Sequence, residues 1–196
     1  AKQGFYDFVI ATGYKSEVIQ DWVSKLDNDW NVTALDTGLI TQTGGRIKRC
    51  ISAFPSERYF VTYGDGLGNI QLQELYDFHI THGKLATVTA VRPPARFGVL
   101  ELEKNEVKHF GEKNQTDTGW INGGFFIIEK AVSDWITGDF DLFETSALPS
   151  LASKGQLMGF HHKGFWQPMD TLRERNQLAE EAKKSVPPWL DFSSHY

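Results

Sequence analysis

Val61–Gly68 reads VTYGDGLG, a short β-rich run that stops at an aspartate set between two glycines. A buried strand ending on such a turn delivers one carboxylate to the edge of an α/β sheet, and no other feature of the chain limits the fold as much. A second apolar segment, GFWQPMDTL at Gly164–Leu172, also ends on a single aspartate, here followed by threonine. Hard divalent cations take oxygen ligands, and Mg²⁺ usually takes one or two protein carboxylates, with phosphates and water completing its octahedron. Asp65 and Asp170 are therefore the candidate ligands of a shared Mg²⁺.

The surrounding chain has βαβ rhythm. Lys2–Thr12 contains the apolar run FYDFVIAT, followed by SEVIQDWVSKL with Val18, Ile19, Trp22, Val23 and Leu26 at helical spacing. Tyr59–Tyr63 reads as a strand, Ile70–His82 as a helix and Leu85–Val91 as a β-branched strand. Gly98–Leu102 and Glu106–Phe110 form a hairpin around Glu103-Lys104-Asn105, and Ile121–Ile128 follows as a strand. Ala131–Thr137 and Phe143–Ser153 are expected to be helices, Gln156–His161 a strand, and Asp170–Lys184 a closing helix with Glu180 and Lys184 as an i, i+4 pair on a solvated face. Val186–Tyr196, with Pro187-Pro188, is expected to be irregular and to dock on a neighbour.

Composition sets the outer bounds. With 40% apolar and 23% charged residues in 196, one domain with a sizeable core is expected, covering residues 1–196. A net charge of −5 argues against nonspecific binding to nucleic acid. The single Cys50 excludes an intramolecular disulfide framework. No apolar run approaches the roughly 20 residues that span a bilayer, and no signal segment opens the chain, so a cytoplasmic location is expected.

Read in order, TGGRIKR (Thr43–Arg49), YGDG (Tyr63–Gly66), PPARFGVL (Pro93–Leu100), GEK (Gly111–Lys113), INGGFF (Ile121–Phe126) and FWQPMDTLRE (Phe165–Glu174) resemble one family. It is the sugar-1-phosphate nucleotidylyltransferases, and TGGR ahead of YGDG, with WQPMDT at the end, is similar to its cytidylyl branch. The resemblance runs from Phe5 to about Trp189. It implies a Rossmann-like α/β nucleotidyltransferase fold, with a mixed, mainly parallel sheet flanked by helices. It implies the reaction of CTP with α-D-glucose 1-phosphate to give CDP-glucose and pyrophosphate, assisted by Mg²⁺, in a homo-oligomer. CDP-glucose normally feeds dideoxysugar synthesis for surface polysaccharides.

The resemblance also assigns roles. Asp65 and Asp170 hold the metal, Lys113 meets the sugar phosphate and Glu112 accepts from a sugar hydroxyl. Asn122 and Gly123, with Gly124, line the sugar pocket; Gly98 bonds a hydroxyl through its backbone, and Trp166 forms an apolar wall. Arg46 belongs to the nucleotide side, on an arm that reaches an adjacent subunit, whereas Lys48 and Arg49 read as surface charges. His161 and His162 are adjacent, hence opposed on a strand, and take no catalytic role. Asn114 stands where the family usually has proline.

Two stretches depart from the family. Its members open with a strand, a glycine-rich GGxGTRL loop and a KPKPM-like lysine segment that wrap the triphosphate. Residue 1 here already lies near the second βα unit, so about one such unit, on the order of 30 residues, is absent at the front. The first helix also runs almost directly into NVTALDTG, where relatives carry a longer segment. The expectation is a longer protein numbered continuously over its ordered part, with a break near Asp27–Asp29 wider than the about 3.8 Å of a trans peptide step. The residues themselves leave two other readings open: a nucleotidylyltransferase of different base or sugar specificity, and a non-catalytic sugar-phosphate-binding subunit.

Overall fold

β-Branched and aromatic residues fill the short runs of this chain, and glycine or polar turns separate them, so strands and helices alternate. A computed structural model describes the chain except residues 28, 94–97, 104, 113–118 and 194–196, and gives backbone alone at 98–102 and 109–112. In chain order the elements are β1 (Asp7–Thr12), α1 (Ser16–Ser24), β2 (Asn31–Asp36), α2 (Thr43–Ala53), β3 (Arg58–Thr62), β4 (Gly66–Gly68), α3 (Leu72–His82), β5 (Ala86–Val91), β6 (Gly98–Glu103), β7 (Glu106–Glu112), β8 (Ile121–Glu129), α4 (Ala147–Ser153), β9 (Leu157–His161), β10 (Trp166–Pro168) and α5 (Leu172–Glu181). Short 3₁₀ helices cover Lys130–Trp135 and Pro188–Leu190.

The largest sheet has the order β3-β8-β5-β9. Tyr63 N–H donates to the Gly124 carbonyl and Lys130 N–H to that of Glu57, so β8 runs antiparallel to β3. Ala86 N–H donates to Gln156 and His162 N–H to Ala90, so β5 and β9 run parallel. The sheet is mixed, as the family resemblance implies. The chain divides into two compact units, Ala1–Phe60 with His79–Thr87 and Ile127–Met158, and Val61–Phe78 with Val88–Phe126 and Gly159–Tyr196.

In the first unit β1 and β2 pair in parallel, from Asp7 opposite Asn31 to Thr12 opposite Asp36. Its core includes Ile51, Ile127, Ile128, Val132, Ile136, Phe143 and Leu151. In the second unit β4 and β10 form an antiparallel ribbon, and β6 and β7 a hairpin with a bulge at Glu101/Leu102. Among the described residues, its buried apolar side chains include Ile70, Leu75, Val91, Phe126 and Leu178.

Several expectations change. TGGR is the first turn of α2, not a protruding arm. Gly44 N–H donates to the Asp141 carbonyl at 2.9 Å, and both glycines are buried. Asn31–Asp36, unassigned from sequence, is a strand because β1 offers it a ladder. The expected helix at Ala131–Thr137 is a 3₁₀ helix, and the next helix begins at Ala147 rather than Phe143. The closing helix begins at Leu172 behind a Thr171 cap, rather than at Asp170, and ends at Glu181. Lys184 pairs with Glu181, not Glu180. The tail docks on its own unit, where Asn69 and Gln71 donate to the Asp191 and Phe192 carbonyls. The expected break at Asp27–Asp29 falls on Asn28, outside the described residues.

Candidate active site

β3 carries the chain to Tyr63, Gly64 and Asp65, and β4 leaves at once in the antiparallel ribbon with β10. Pro168 is the partner of Gly66, and Met169 N–H donates to the Asp65 carbonyl at 2.8 Å. Asp65 therefore faces Met169 at the ribbon's open end, with Asp170 one residue further. The ribbon, rather than the main sheet, brings the two carboxylates together.

Asp170 is held from behind. The Glu174 carboxylate accepts from the backbone N–H groups of Asp170 and Thr171, both at 2.9 Å, and from the Thr171 hydroxyl at 3.1 Å. Thr171 in turn accepts from Glu174 N–H, completing a capping box. Glu174 is buried, which removes it from the solvent it would otherwise bind. Its T-x-x-E spacing was the available sequence signal, and sequence reasoning missed its role.

A cavity of about 470 Å³ opens beside these residues. That volume lies within the usual range of small-molecule sites. It is lined by Asp65 and Asp170 together with Asn122, Gly123, Gly124 and Trp166, and by Thr62, Tyr63, Gly66, Pro93, Ile121 and Pro168. Five residues predicted from sequence, Asp65, Asn122, Gly123, Trp166 and Asp170, thus share one wall.

Each wall residue has a local cause. Trp166 Nε1–H donates to the Gly123 carbonyl at 2.8 Å, tying β10 to the start of β8. Gly123 packs on β5 so closely that a Cβ would lie 2.7 Å from Val91 Cγ1 and 2.9 Å from the Thr89 carbonyl oxygen. Gly124 has φ +77°, and its missing Cβ leaves room for the Tyr63 ring. Asn122 Oδ1 accepts from Gly124 N–H at 2.8 Å, so its Nδ2 hydrogens are what it can offer a ligand.

Beside the cavity the Arg92 guanidinium lies 4.5 Å over the Trp120 ring, which stacks on His161 with centroids 4.4 Å apart. Sequence reasoning missed this cation as well. His162 turns inward, as its neighbour's exposure requires, and its Nε2–H donates to the Phe165 carbonyl.

Gly98 and Glu112 are register partners at the open end of the β6–β7 hairpin. Lys113 lies outside the described residues. Arg46 belongs to the first unit, where its guanidinium donates to the Thr12 carbonyl at 2.7 Å and to the Thr37 hydroxyl. Those atoms mark the carboxyl ends of the parallel strands β1 and β2, the edge at which open α/β sheets bind ligands. Arg49 is paired with Asp139, and Lys48 donates to the Ile136 carbonyl.

Among the described residues no group of three or more His, Cys, Asp or Glu side chains converges as a metal cage. Two exposed carboxylates on one cavity fit Mg²⁺, which leaves most of its shell to phosphates and water, and do not fit a closed zinc site.

The model of the nucleotidyl transferase family matches residues 1–191. The chain is 40% identical over 209 aligned residues to glucose-1-phosphate cytidylyltransferase of Salmonella typhi, covering 95% of this chain and 81% of the relative. It is 35% identical over 211 residues to the probable glucose-1-phosphate cytidylyltransferase of Bacillus subtilis (strain 168), covering 95% and 83%. Among solved structures, HddC from Yersinia pseudotuberculosis superposes with a TM-score of 0.73 at 22% identity, covering 93% of this chain and 81% of that one, and so shares its fold.

Proposed function

The chain belongs to the nucleotidyl transferase family, and from that premise we propose that it is a glucose-1-phosphate cytidylyltransferase, joining CTP and α-D-glucose 1-phosphate into CDP-glucose with release of pyrophosphate. The observation that carries the reading at the level of the site is the pairing of Asp65 and Asp170 at one ribbon end, on a cavity shared with Asn122, Gly123 and Trp166.

An oxygen of the sugar phosphate attacks the α-phosphorus of CTP in line. The new P–O bond forms as the bond from the α-phosphorus to the bridging oxygen breaks, and that oxygen leaves on pyrophosphate. Both reactants are polyanions, so alignment and charge neutralisation are the main tasks of the site. When bound, Mg²⁺ supplies Lewis-acid polarisation of the phosphoryl oxygens. Asp65 and Asp170 hold it, and Glu174 keeps Asp170 aimed through the Asp170 N–H.

Asn122 Nδ2 and the Gly123 backbone read sugar hydroxyls, while Trp166 walls the ring. Gly98 and Glu112 bond further hydroxyls from the hairpin, and Lys113 neutralises the sugar phosphate. Arg46, at the carboxyl ends of β1 and β2, meets the nucleotide phosphates. Residues 1–196 act as one nucleotidyltransferase domain, which the family match over 1–191 supports.

Asp65→Asn and Asp170→Asn test the metal assignment. Each is expected to lower Mg²⁺-dependent turnover by on the order of 100-fold or more while the circular dichroism spectrum stays native. Wild-type turnover in either variant contradicts the assignment.

The protein works as a homo-oligomer in the cytoplasm and takes neither nucleic acid nor a membrane as partner. In the first unit Gln42 N–H donates to the Asp139 carbonyl, setting two loops side by side with Leu39, Ile40 and Phe140 each 65% exposed or more. Clustered apolar exposure of this kind suits a subunit interface beside α2. A monomeric mass by light scattering contradicts it. For the location, the support is that no helix among the described residues is long and apolar enough to cross a membrane, together with the unpaired Cys50.

A further inference from the structure

The ribbon that presents Asp65 and Asp170 has only three residue pairs, Trp166 with Gly68, Gln167 with Leu67 and Pro168 with Gly66. So short a two-stranded element does not fix its own register, because an isolated hairpin of any length is marginal in water. A slip of one residue would also turn every side chain to the opposite face. Something must clamp the end away from the carboxylates.

That end is covered by the segment after α5. Asn69 N–H donates to the Phe165 carbonyl at 3.1 Å, continuing the pairing one step beyond β4. Asn69 Nδ2 donates to the Asp191 carbonyl at 2.9 Å, and Gln71 Nε2 to the Phe192 carbonyl at 2.7 Å. Trp189 packs its ring on Phe165 with centroids 6.2 Å apart, and Leu190 N–H closes a turn on the Pro187 carbonyl at 2.8 Å.

The clamp is built to close tolerance. Asn69 is 6% exposed, and its Oδ1 is buried with no hydrogen-bond partner among the described residues, so the carboxamide is oriented by what its nitrogen donates to. A Cβ on Gly164 would run into that Oδ1.

We propose that Asn69 and Gln71 are positioning residues for the metal carboxylates: by gripping the backbone of Asp191 and Phe192 they strap the C-terminal segment across the far end of the β4–β10 ribbon. The strap fixes the register that sets Asp65 beside Asp170. This rests on the reading of Asp65 and Asp170 as the metal ligands. Neither positioning residue touches substrate or metal; each acts through the ribbon.

The test is Mn²⁺ binding to the full protein, followed by the electron paramagnetic resonance signal of free Mn²⁺ well below the melting transition. Two strap variants are compared with wild type, the double variant Asn69→Ala/Gln71→Ala and the single variant Gln71→Asn, which keeps the amide but shortens its reach by one methylene. Loosening residues that orient metal ligands typically costs 10–100-fold in affinity, so the double variant is expected to bind Mn²⁺ on the order of 10-fold more weakly. Gln71→Asn is expected to shift it in the same direction by less, with KM for glucose 1-phosphate unchanged.

Wild-type Mn²⁺ affinity in a folded double variant overturns the proposal. A lowered melting temperature with unchanged affinity does so too, because it assigns the strap to stability alone. If the double variant does not fold, Gln71→Asn decides by the same criterion. Asp65→Asn separates the two levels of the argument: if it leaves Mn²⁺ binding intact, the ligand assignment has failed; if it abolishes binding while the strap variants do not weaken it, only the strap has failed.

Discussion

His162 sits in the second unit, 8% exposed, donating Nε2–H to the Phe165 carbonyl. Burial holds its imidazole below the ordinary histidine value, against the opposite pull of that hydrogen bond and of Glu74. His82 in the first unit is lowered too, by burial and by His79 and Lys84. The unfolded chain takes up protons as pH falls through about 6.5, while the folded imidazoles refuse them, so stability drops across that window and levels off below the folded values. The expected result is a urea midpoint that falls between about pH 7.5 and about pH 5.5, and falls less in His162→Gln. A His162→Gln slope equal to wild type contradicts the account. Adjacency alone told the sequence reader that His161 and His162 face opposite ways. The buried one is His162, while His161 stays exposed with Trp120 stacked on its ring, a contact between distant positions that no local pattern carries.

At the level of elements, legibility followed whether the deciding forces were local. The β6–β7 hairpin announced itself through Glu103-Lys104-Asn105 and the flanking alternation, and it formed as expected apart from the bulge. α2 did not, because the paired Gly44 and Gly45 suit an arm better than a helix start. In a helix interior alanine is better than glycine by about 1 kcal/mol. Yet a Cβ on Gly45 would lie 2.7 Å from Asp139 Cα and one on Gly44 2.7 Å from the Asp141 carbonyl oxygen, both backbone atoms that cannot swing aside. Overpacking against such neighbours costs about 1–3 kcal/mol, so close approach outweighs propensity and the glycines stay. α5 is the opposite case: Thr171 and Glu174 at capping-box spacing set its start, a signal worth about 1 kcal/mol that was present in the sequence. The same box orders Asp170, so one local device both begins a helix and aims a candidate ligand. The C-terminal strap was illegible for the reason α2 was, since Asn69 meets Asp191 across more than a hundred residues.

At the scale of the whole molecule, the order of six weak motifs pointed to the family, and the family match over residues 1–191 agrees. Motif order could offer Asp65, Asn122, Gly123, Trp166 and Asp170 as candidates, and all five line one cavity because each lies within a few residues of a strand end. It could not say that a three-pair ribbon, rather than the main sheet, holds the two carboxylates. Placing Arg46 required the parallel pairing of β1 with β2, which brings Thr12 and Thr37 within reach of one guanidinium. The central claim is the identity of the two substrates, a nucleoside triphosphate and a sugar phosphate. The measurement that tests it is sugar-nucleotide formation by the full-length protein with Mg²⁺ and glucose 1-phosphate, supplied in turn with CTP, UTP and dTTP. The account predicts CDP-glucose and pyrophosphate in equal amounts from CTP, with much slower turnover of the other two; preference for UTP or dTTP, or no sugar nucleotide from any of the three, would contradict it.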